Sequence, residues 1–389
     1  NLYKTLGNIE TVLASQRFAY VNLSLGPDMP IDDDEVSAWT SVLDDILSSS
    51  DTLLSVAVGN NGELDDASGN NRIEPPGDAV NALCVGAADS EGPYWGRAPY
   101  SAVGPGRSPG IVKPDVLAFG GADGDEFQVV APGATPAAVG TMGTSFAAPN
   151  ALRQAIRIRE ICGSAISPLA AKTLLIHSAE SQDSLAKREI GWGRVPSDAT
   201  GIVTTEDGSA MIIYQGKIRP GKYVRARIPI PTGLNGGNVA LSATFSFKCK
   251  VDPQSPDVYT RSALEITFRP NMDKHEPKKQ YPESKPFFTS RGISGLYSTE
   301  NERRKDQGKW ETVLHNRRLY RSTTLVQPVF DIHYNAREMG SSSNANADLE
   351  YALAITIYAP KTPQLHGLIL DQYKQLVTLE PILGIGGLG

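Results

Sequence analysis

The sequence predicts an α/β unit, a parallel sheet with helices on both faces, followed by an antiparallel β-sandwich or jelly roll. Three observations predict it. Buried-strand patterns alternate with helical ones early in the chain, at residues 18–26, 36–47 and 52–58. Strand, helix and strand at that spacing form a βαβ unit, which implies a parallel sheet. From about residue 206 the apolar period turns from helical to strictly alternating, with Gly/Pro turns between segments. The expected division is 1–205, then 206–362 with a long insertion at 271–325, then a tail at 363–389.

Taken in order, Leu2, Leu6, Ile9 and Val12 recur at spacings of three and four and predict a helix over 1–16. Residues 18–26 read as a buried strand ending in Ser24, Leu25 and Gly26. The next helix has Val36, Trp39, Val42, Leu43, Ile46 and Leu47 on one face and Asp32, Asp33, Asp34 and Glu35 at its start. Acids suit the positive end of a helix dipole, so these four need no metal to explain them. Residues 52–58 form the next strand and run into Gly59, Asn60, Asn61 and Gly62. Sites in parallel sheets gather at the carboxyl ends of strands, where both Ser24–Gly26 and Gly59–Asn60 fall.

A further strand is expected at 82–87, after a polar loop holding Pro75 and Pro76. Segments 100–105 and 112–116 lead through Ala131, Pro132 and Gly133 to a helix that opens at Gly143, Thr144 and Ser145 and stops near Cys162, before Gly163. Ser167 and Pro168 open another helix by cap and first-turn proline, carrying Leu169, Thr173, Leu174 and Ile176 to Ala179.

In the second half, Leu241, Ala243, Phe245 and Phe247 alternate with Ser242, Thr244 and Ser246. Leu264, Ile266 and Phe268, then Phe330, Ile332 and Tyr334, then Leu353, Ile355 and Ile357 repeat the pattern. The insertion is rich in Lys and Arg, with a helix expected around 301–314, and reads as a solvated surface element or, less simply, a recognition element. One more helix is expected after Leu365, before an apolar, Gly-rich end.

The chain has 389 residues, a formal charge of −6 and a pI near 5.5, which argue against a general nucleic-acid binder. No apolar run approaches the length of a membrane span. Three cysteines, Cys84, Cys162 and Cys249, lack pair or metal spacing and lean towards a reducing compartment, so a cytoplasmic setting is expected, with secretion as the alternative.

Ser145 carries the chemistry. At the first turn of a helix, unpaired N–H groups and the helix dipole favour developing negative charge. A hydroxyl attacking a carbonyl needs such a place, because its tetrahedral product carries an oxyanion. Gly143, Ala147 and Ala148 leave room for a substrate backbone, and Pro149 sits where a missing N–H costs little. By itself Gly-Thr-Ser also fits an ordinary helix start capped by Thr144 or Ser145, and Asn60 also suits a turn.

The string over 140–150, Gly-Thr-Met-Gly-Thr-Ser-Phe-Ala-Ala-Pro-Asn, resembles the nucleophile motif of the subtilisin-like serine proteases (subtilases). Phe146 stands where Met is usual and Asn150 where His is frequent, and neither change touches reacting atoms. The segments 21–26 and 56–62, Pro76 with 82–87, Lys113-Pro114-Asp115 and Gly191-Trp192-Gly193 also resemble family landmarks, in family order. The resemblance covers about residues 1–200 and not the β-rich half. It implies a serine endopeptidase that cleaves polypeptides through an acyl-enzyme on Ser145, with the Asn60 amide as oxyanion donor. It further implies that Ser24, Leu25 and Gly26, with Ala57, Val58 and Gly59, line the substrate cleft by β-augmentation and wall the pocket for the residue before the cut.

A serine nucleophile needs an imidazole oriented by a carboxylate. In subtilases both precede the Ser-Leu-Gly strand, whereas all five histidines here, His177, His275, His315, His333 and His366, follow Ser145. His177 reads as a satisfied structural residue, His333 as outward-facing on a strand, and the others as loop or tail residues. The catalytic Asp and His are therefore expected in an upstream segment of the same protease; the alternative is an inactive peptide-binding or assembly module of the same fold. The helix leading straight into a central strand also looks cut, because the sheet needs earlier strands. The resemblance allows an ATPase partner, found beside some prokaryotic subtilases. Calcium, common in the family, has no recognisable ligand string here, and no cofactor is identified.

Overall fold

The structure is a computed structural model that describes residues 1–132, 137–275, 281–288, 308–337 and 347–374. Its first half is a four-stranded parallel sheet, β1 (Tyr20–Leu23), β2 (Leu53–Ala57), β3 (Leu83–Ala88) and β4 (Val116–Phe119), in that spatial order. β2 and β3 are buried almost throughout, which explains their unbroken apolar character. Helix α1 (Leu2–Ser15) packs on α2 (Ala38–Ser48), and α2 fills one side of the sheet with Leu43 and Leu47 against Leu54, Val56 and Val58.

Helix α2 starts later than the sequence suggests. Ser37 caps it by accepting the Trp39 N–H, so the acids at 32–35 and Val36 precede the helix instead of occupying its first turn. Asp33 pairs with Arg72 at 2.8 Å, and the Asp32 side chain accepts the Asp34 N–H. A local Asx turn and an ion pair hold this segment, and the stronger N-cap sits at Ser37.

The other face of the sheet carries α3 (Thr144–Cys162), which packs across β1 to β4 through Ala147, Ala148, Ala151 and Ala155. These small side chains bring the helix close enough for the Ser55 hydroxyl on β2 to reach the Ala148 carbonyl at 2.8 Å. A hairpin of β5 (Phe127–Ala131) and β6 (Ala137–Thr141), not foreseen in the sequence, precedes α3 and is tied to it by stacking of Phe127 on Phe146.

α4 (Pro168–His177) is buried at every residue. A helix apolar all round has to be covered on all sides, and this one lies between α3 and the β-rich half. Short helices α5 (Lys187–Ile190) and α6 (Ala199–Val203) follow. Then come two antiparallel sheets, β10–β12–β8 (Ser262–Arg269, Val329–Ala336, Tyr223–Arg227) and β11–β9–β13–β7 (Val313–Arg321, Asn238–Phe247, Leu349–Tyr358, Ser209–Ile218). Between them Leu241, Phe245, Phe247, Leu264, Phe268 and Phe330 form the second core. Helix α7 (Leu365–Gln372) closes its edge with Leu365 and Ile369.

The alternating polar face of β9 is not open to water. Thr244 and Ser246 are buried because α4 docks on that face. His177 bonds Thr244 through Nδ1 at 2.9 Å and Thr356 through Nε2 at 2.7 Å. His315, expected in a polar loop, lies on β11 and joins the same network through Thr244 at 2.6 Å. Half of the helix expected at 301–314 lies outside the described residues; the other half, 308–314, is not an α-helix, and its Val313 and Leu314 open a strand, paired with Ser246 and Phe245. The edge of β9 offers unpaired backbone groups that this segment satisfies. The expected apolar end after residue 374 lies outside the described residues.

Candidate active site

Ser145 is the second residue of α3, as its motif implied. Gly143, at φ +154, serves as N-cap without a side-chain cap, and while its carbonyl accepts the Phe146 N–H, the N–H groups of Thr144 and Ser145 have no acceptor within the helix. The Gly143 N–H is held by the Gly120 carbonyl at 2.9 Å and the Tyr100 hydroxyl at 3.0 Å, which fixes where the helix begins.

Asn60 meets this helix start from the end of β2. Its Oδ1 accepts the Thr144 N–H at 2.9 Å and the Thr144 hydroxyl at 3.0 Å. With the oxygen engaged, the amide nitrogen faces the other way, and a methyl group placed on Gly143 would lie 3.8 Å from it. The Thr144 hydroxyl also reaches the Gly59 carbonyl at 3.3 Å.

Ser145 and Asn60 border a cleft of about 570 Å³. Five of the six expected substrate-binding residues line it: Ser24, Leu25, Gly26, Ala57 and Gly59. Val58 does not. Its side chain is in the core, its N–H bonds Val85 and its carbonyl accepts from Glu74, so strand alternation turns it inward. The Ser24 hydroxyl donates to the Ser145 carbonyl at 3.1 Å and so ties the first wall to the helix. Leu25 is exposed.

The cleft also contains Asp28, Glu63 and Glu74, which sequence reasoning did not single out, together with Pro75. Glu74 stands two residues before the Pro76 landmark, the one local sign of its position. Burial, and then the charge of Asp28, push its carboxyl up to about 7. None of the five histidines lines the cleft. Burial and then His315 push His177 down to about 3, a neutral packing residue far from the role of a base. Among the described residues, no group of three or more His, Cys, Asp or Glu side chains could hold a metal ion, and no helix is long and apolar enough to cross a membrane.

Beneath the sheet, Lys113 donates to Asp115 at 3.0 Å, to the Ala79 carbonyl at 2.7 Å and to the Cys84 sulfur at 3.2 Å. All three side chains are buried. The landmark at 113–115 thus serves the fold and not the cleft.

Residues 3–193 match the model of the Subtilase family, peptidase S8. This part of the chain is a subtilase domain. Solved structures similar to the subtilase chain include the patellamide maturation protease PatA, at 22% identity over 52% of this chain and 67% of that one, with a TM-score of 0.39. The prenylagaramide maturation protease PagA is 23% identical over 51% and 67%, with a TM-score of 0.39. A protease of Pseudoalteromonas arctica PAMC 21717 is 24% identical over 48% and 50%, with a TM-score of 0.35. The subtilase chain thus spans from half to two thirds of these structures. No curated protein matches it.

Proposed function

We propose that this subtilase chain carries the nucleophile and oxyanion hole of a serine endopeptidase, and that another segment supplies the imidazole and its carboxylate. The Ser145 Oγ attacks a peptide carbonyl while the base takes its proton. The oxyanion accepts hydrogen bonds from the Ser145 N–H and the Asn60 amide nitrogen. Collapse expels the amine, protonated by the same base, and water then hydrolyses the ester on Ser145. The substrate backbone lies extended along Ser24–Gly26 as an added strand.

One observation carries this reading: Thr144 holds the Asn60 carboxamide by its oxygen, so that its N–H₂ is presented at the helix start bearing Ser145. A turn residue would not need that orientation. The reading of a non-catalytic peptide-binding module draws on the absence of any histidine from the cleft.

Fluorophosphonate labelling of Ser145 separates the two. The chain alone should label slowly, since losing the base costs about 10⁶-fold in kcat in subtilisin itself. Supplied with a segment bearing an Asp-x-Gly strand end and a His-Gly-Thr motif, it should label fast, and Ser145→Ala not at all. Fast labelling of the chain alone would overturn the external base. No labelling in either case would favour the binding module.

A further inference from the structure

The inference concerns the substrate of the same cleft and rests on the reading above. We propose that Glu74, backed by Asp28, selects substrates with a cationic residue, lysine or arginine, before the scissile bond. The placement is steric and direct. The Glu74 carboxylate lies against Gly59, the neighbour of Asn60; a Cβ on Gly59 would stand 2.4 Å from its Oε2. On the facing wall Gly26 abuts Pro75, where a Cβ would stand 2.1 Å from the Pro75 carbonyl oxygen. Asp28 follows from that wall, borders the same cleft, and sits close enough for its charge to act on Glu74.

Among the described residues, no Lys or Arg lines the cleft and none forms an ion pair with Asp28 or Glu74. Arg72, two residues from Glu74, turns instead to Asp33 at 2.8 Å and to the Pro105 carbonyl. A half-buried carboxyl facing a second acid favours its protonated form, and an incoming ammonium or guanidinium takes the place of that proton with a charge-assisted hydrogen bond to Glu74. Leu25, Ala57, Gly59 and Pro75 supply apolar surface for the aliphatic stem of such a side chain. A divalent ion would ask for more oxygen ligands than these two carboxylates provide.

The test compares peptides that differ only before the cut, with lysine, its neutral isostere norleucine, or glutamate, cleaved by the chain together with the segment that supplies the base. We expect kcat/KM for lysine to exceed that for norleucine by about tenfold or more, with glutamate poorest. Glu74→Gln should erase the lysine advantage, bringing the lysine-to-norleucine ratio of kcat/KM to about one, and Asp28→Asn should reduce the advantage in part. Norleucine cleaved as well as lysine would overturn the charge selection and leave the protease reading intact. Failure to cleave any of the peptides, with Ser145 unlabelled, would overturn both.

Discussion

The Thr144 backbone N–H is bonded to the Asn60 side-chain oxygen at 2.9 Å, across the gap between the first turn of α3 and the end of β2. A backbone N–H can only donate, so this bond makes the carboxamide oxygen the acceptor and leaves the nitrogen free to donate. If Asn60 donates to the oxyanion as proposed, Asn60→Ala should lower kcat by about 10²–10³-fold with little change in KM, the size of loss seen when one oxyanion-hole donor is removed from subtilisin. Thr144→Val, which keeps the N–H and removes the hydroxyl, should cost far less. Steady-state kinetics of both variants check the order.

Gly59→Ala should damage both stability and cleavage. Gly59 sits at φ +110, and a methyl group there would strike the Glu74 carboxylate. Backbone strain of this kind costs about 1–3 kcal/mol, and the displaced carboxylate leaves the cleft wall. Denaturant midpoints and peptide cleavage should fall together.

Asp115→Asn should destabilise the fold strongly without changing what the cleft prefers. Burial works against the Lys113 charge, but Asp115 outweighs it and holds the ammonium above its ordinary range. Removing one partner of a buried pair leaves the other uncompensated, at about 3–5 kcal/mol. Urea unfolding should register that loss, while the ratio of lysine to norleucine cleavage stays that of the wild type.

The lysine advantage should depend on pH through Glu74. Its carboxyl is pushed up to about 7 by burial and by Asp28, so it is neutral below and charged above. Among the described residues the other acids facing the cleft are Asp28 and Glu63, and Arg72, two residues from Glu74 in the chain, is turned to Asp33. The lysine-to-norleucine ratio should climb from about pH 5.5 to 8, a ratio in which titration of the base cancels. The sign for stability is opposite. A carboxyl whose pKa is raised by folding loses its stabilising share as pH rises through the folded value, so Glu74→Gln should melt above the wild type at pH 8.

Acid should loosen the docking of α4 on the β-rich half. Burial, then His315, lowers His177 from the usual 6.5 to about 3, and burial, then Lys187, lowers His315 to about 4. Both stay neutral in the fold and would be protonated in the unfolded chain. Their contribution is complete above about pH 6.5 and declines as pH falls towards 4 and then 3. Thermal melts between pH 7 and 4 should drop less steeply for His177→Gln than for the wild type.

Much of the candidate site was legible because its signals are local. A Gly-Thr-Ser step before small residues marks a helix start, a strand running into Gly59-Asn60 marks a carboxyl end, and neither needs distant contacts to be recognised. Val58 was misplaced among the cleft residues because alternation at a strand's end depends on its backbone partners, here Val85 and Glu74. Asp28 and Glu74 carried no motif and were not singled out. His315 was misplaced because a basic, polar stretch conceals the edge strand that pairs with β9.

By itself, then, the sequence determined the strand–helix–strand order of the first half, the helix start under Ser145 and the period-two character of the second half, since these follow from capping, glycine placement and apolar spacing within a few residues. Only the tertiary structure decided which faces are covered. Thr244 and Ser246 look like a solvated strand face until α4 lies on them. The charge of the cleft was decided the same way. Asp28 and Glu74 come from separate loops, and their meeting beside Gly59 is set by how two strand ends pack, a relation between distant segments that no local pattern encodes.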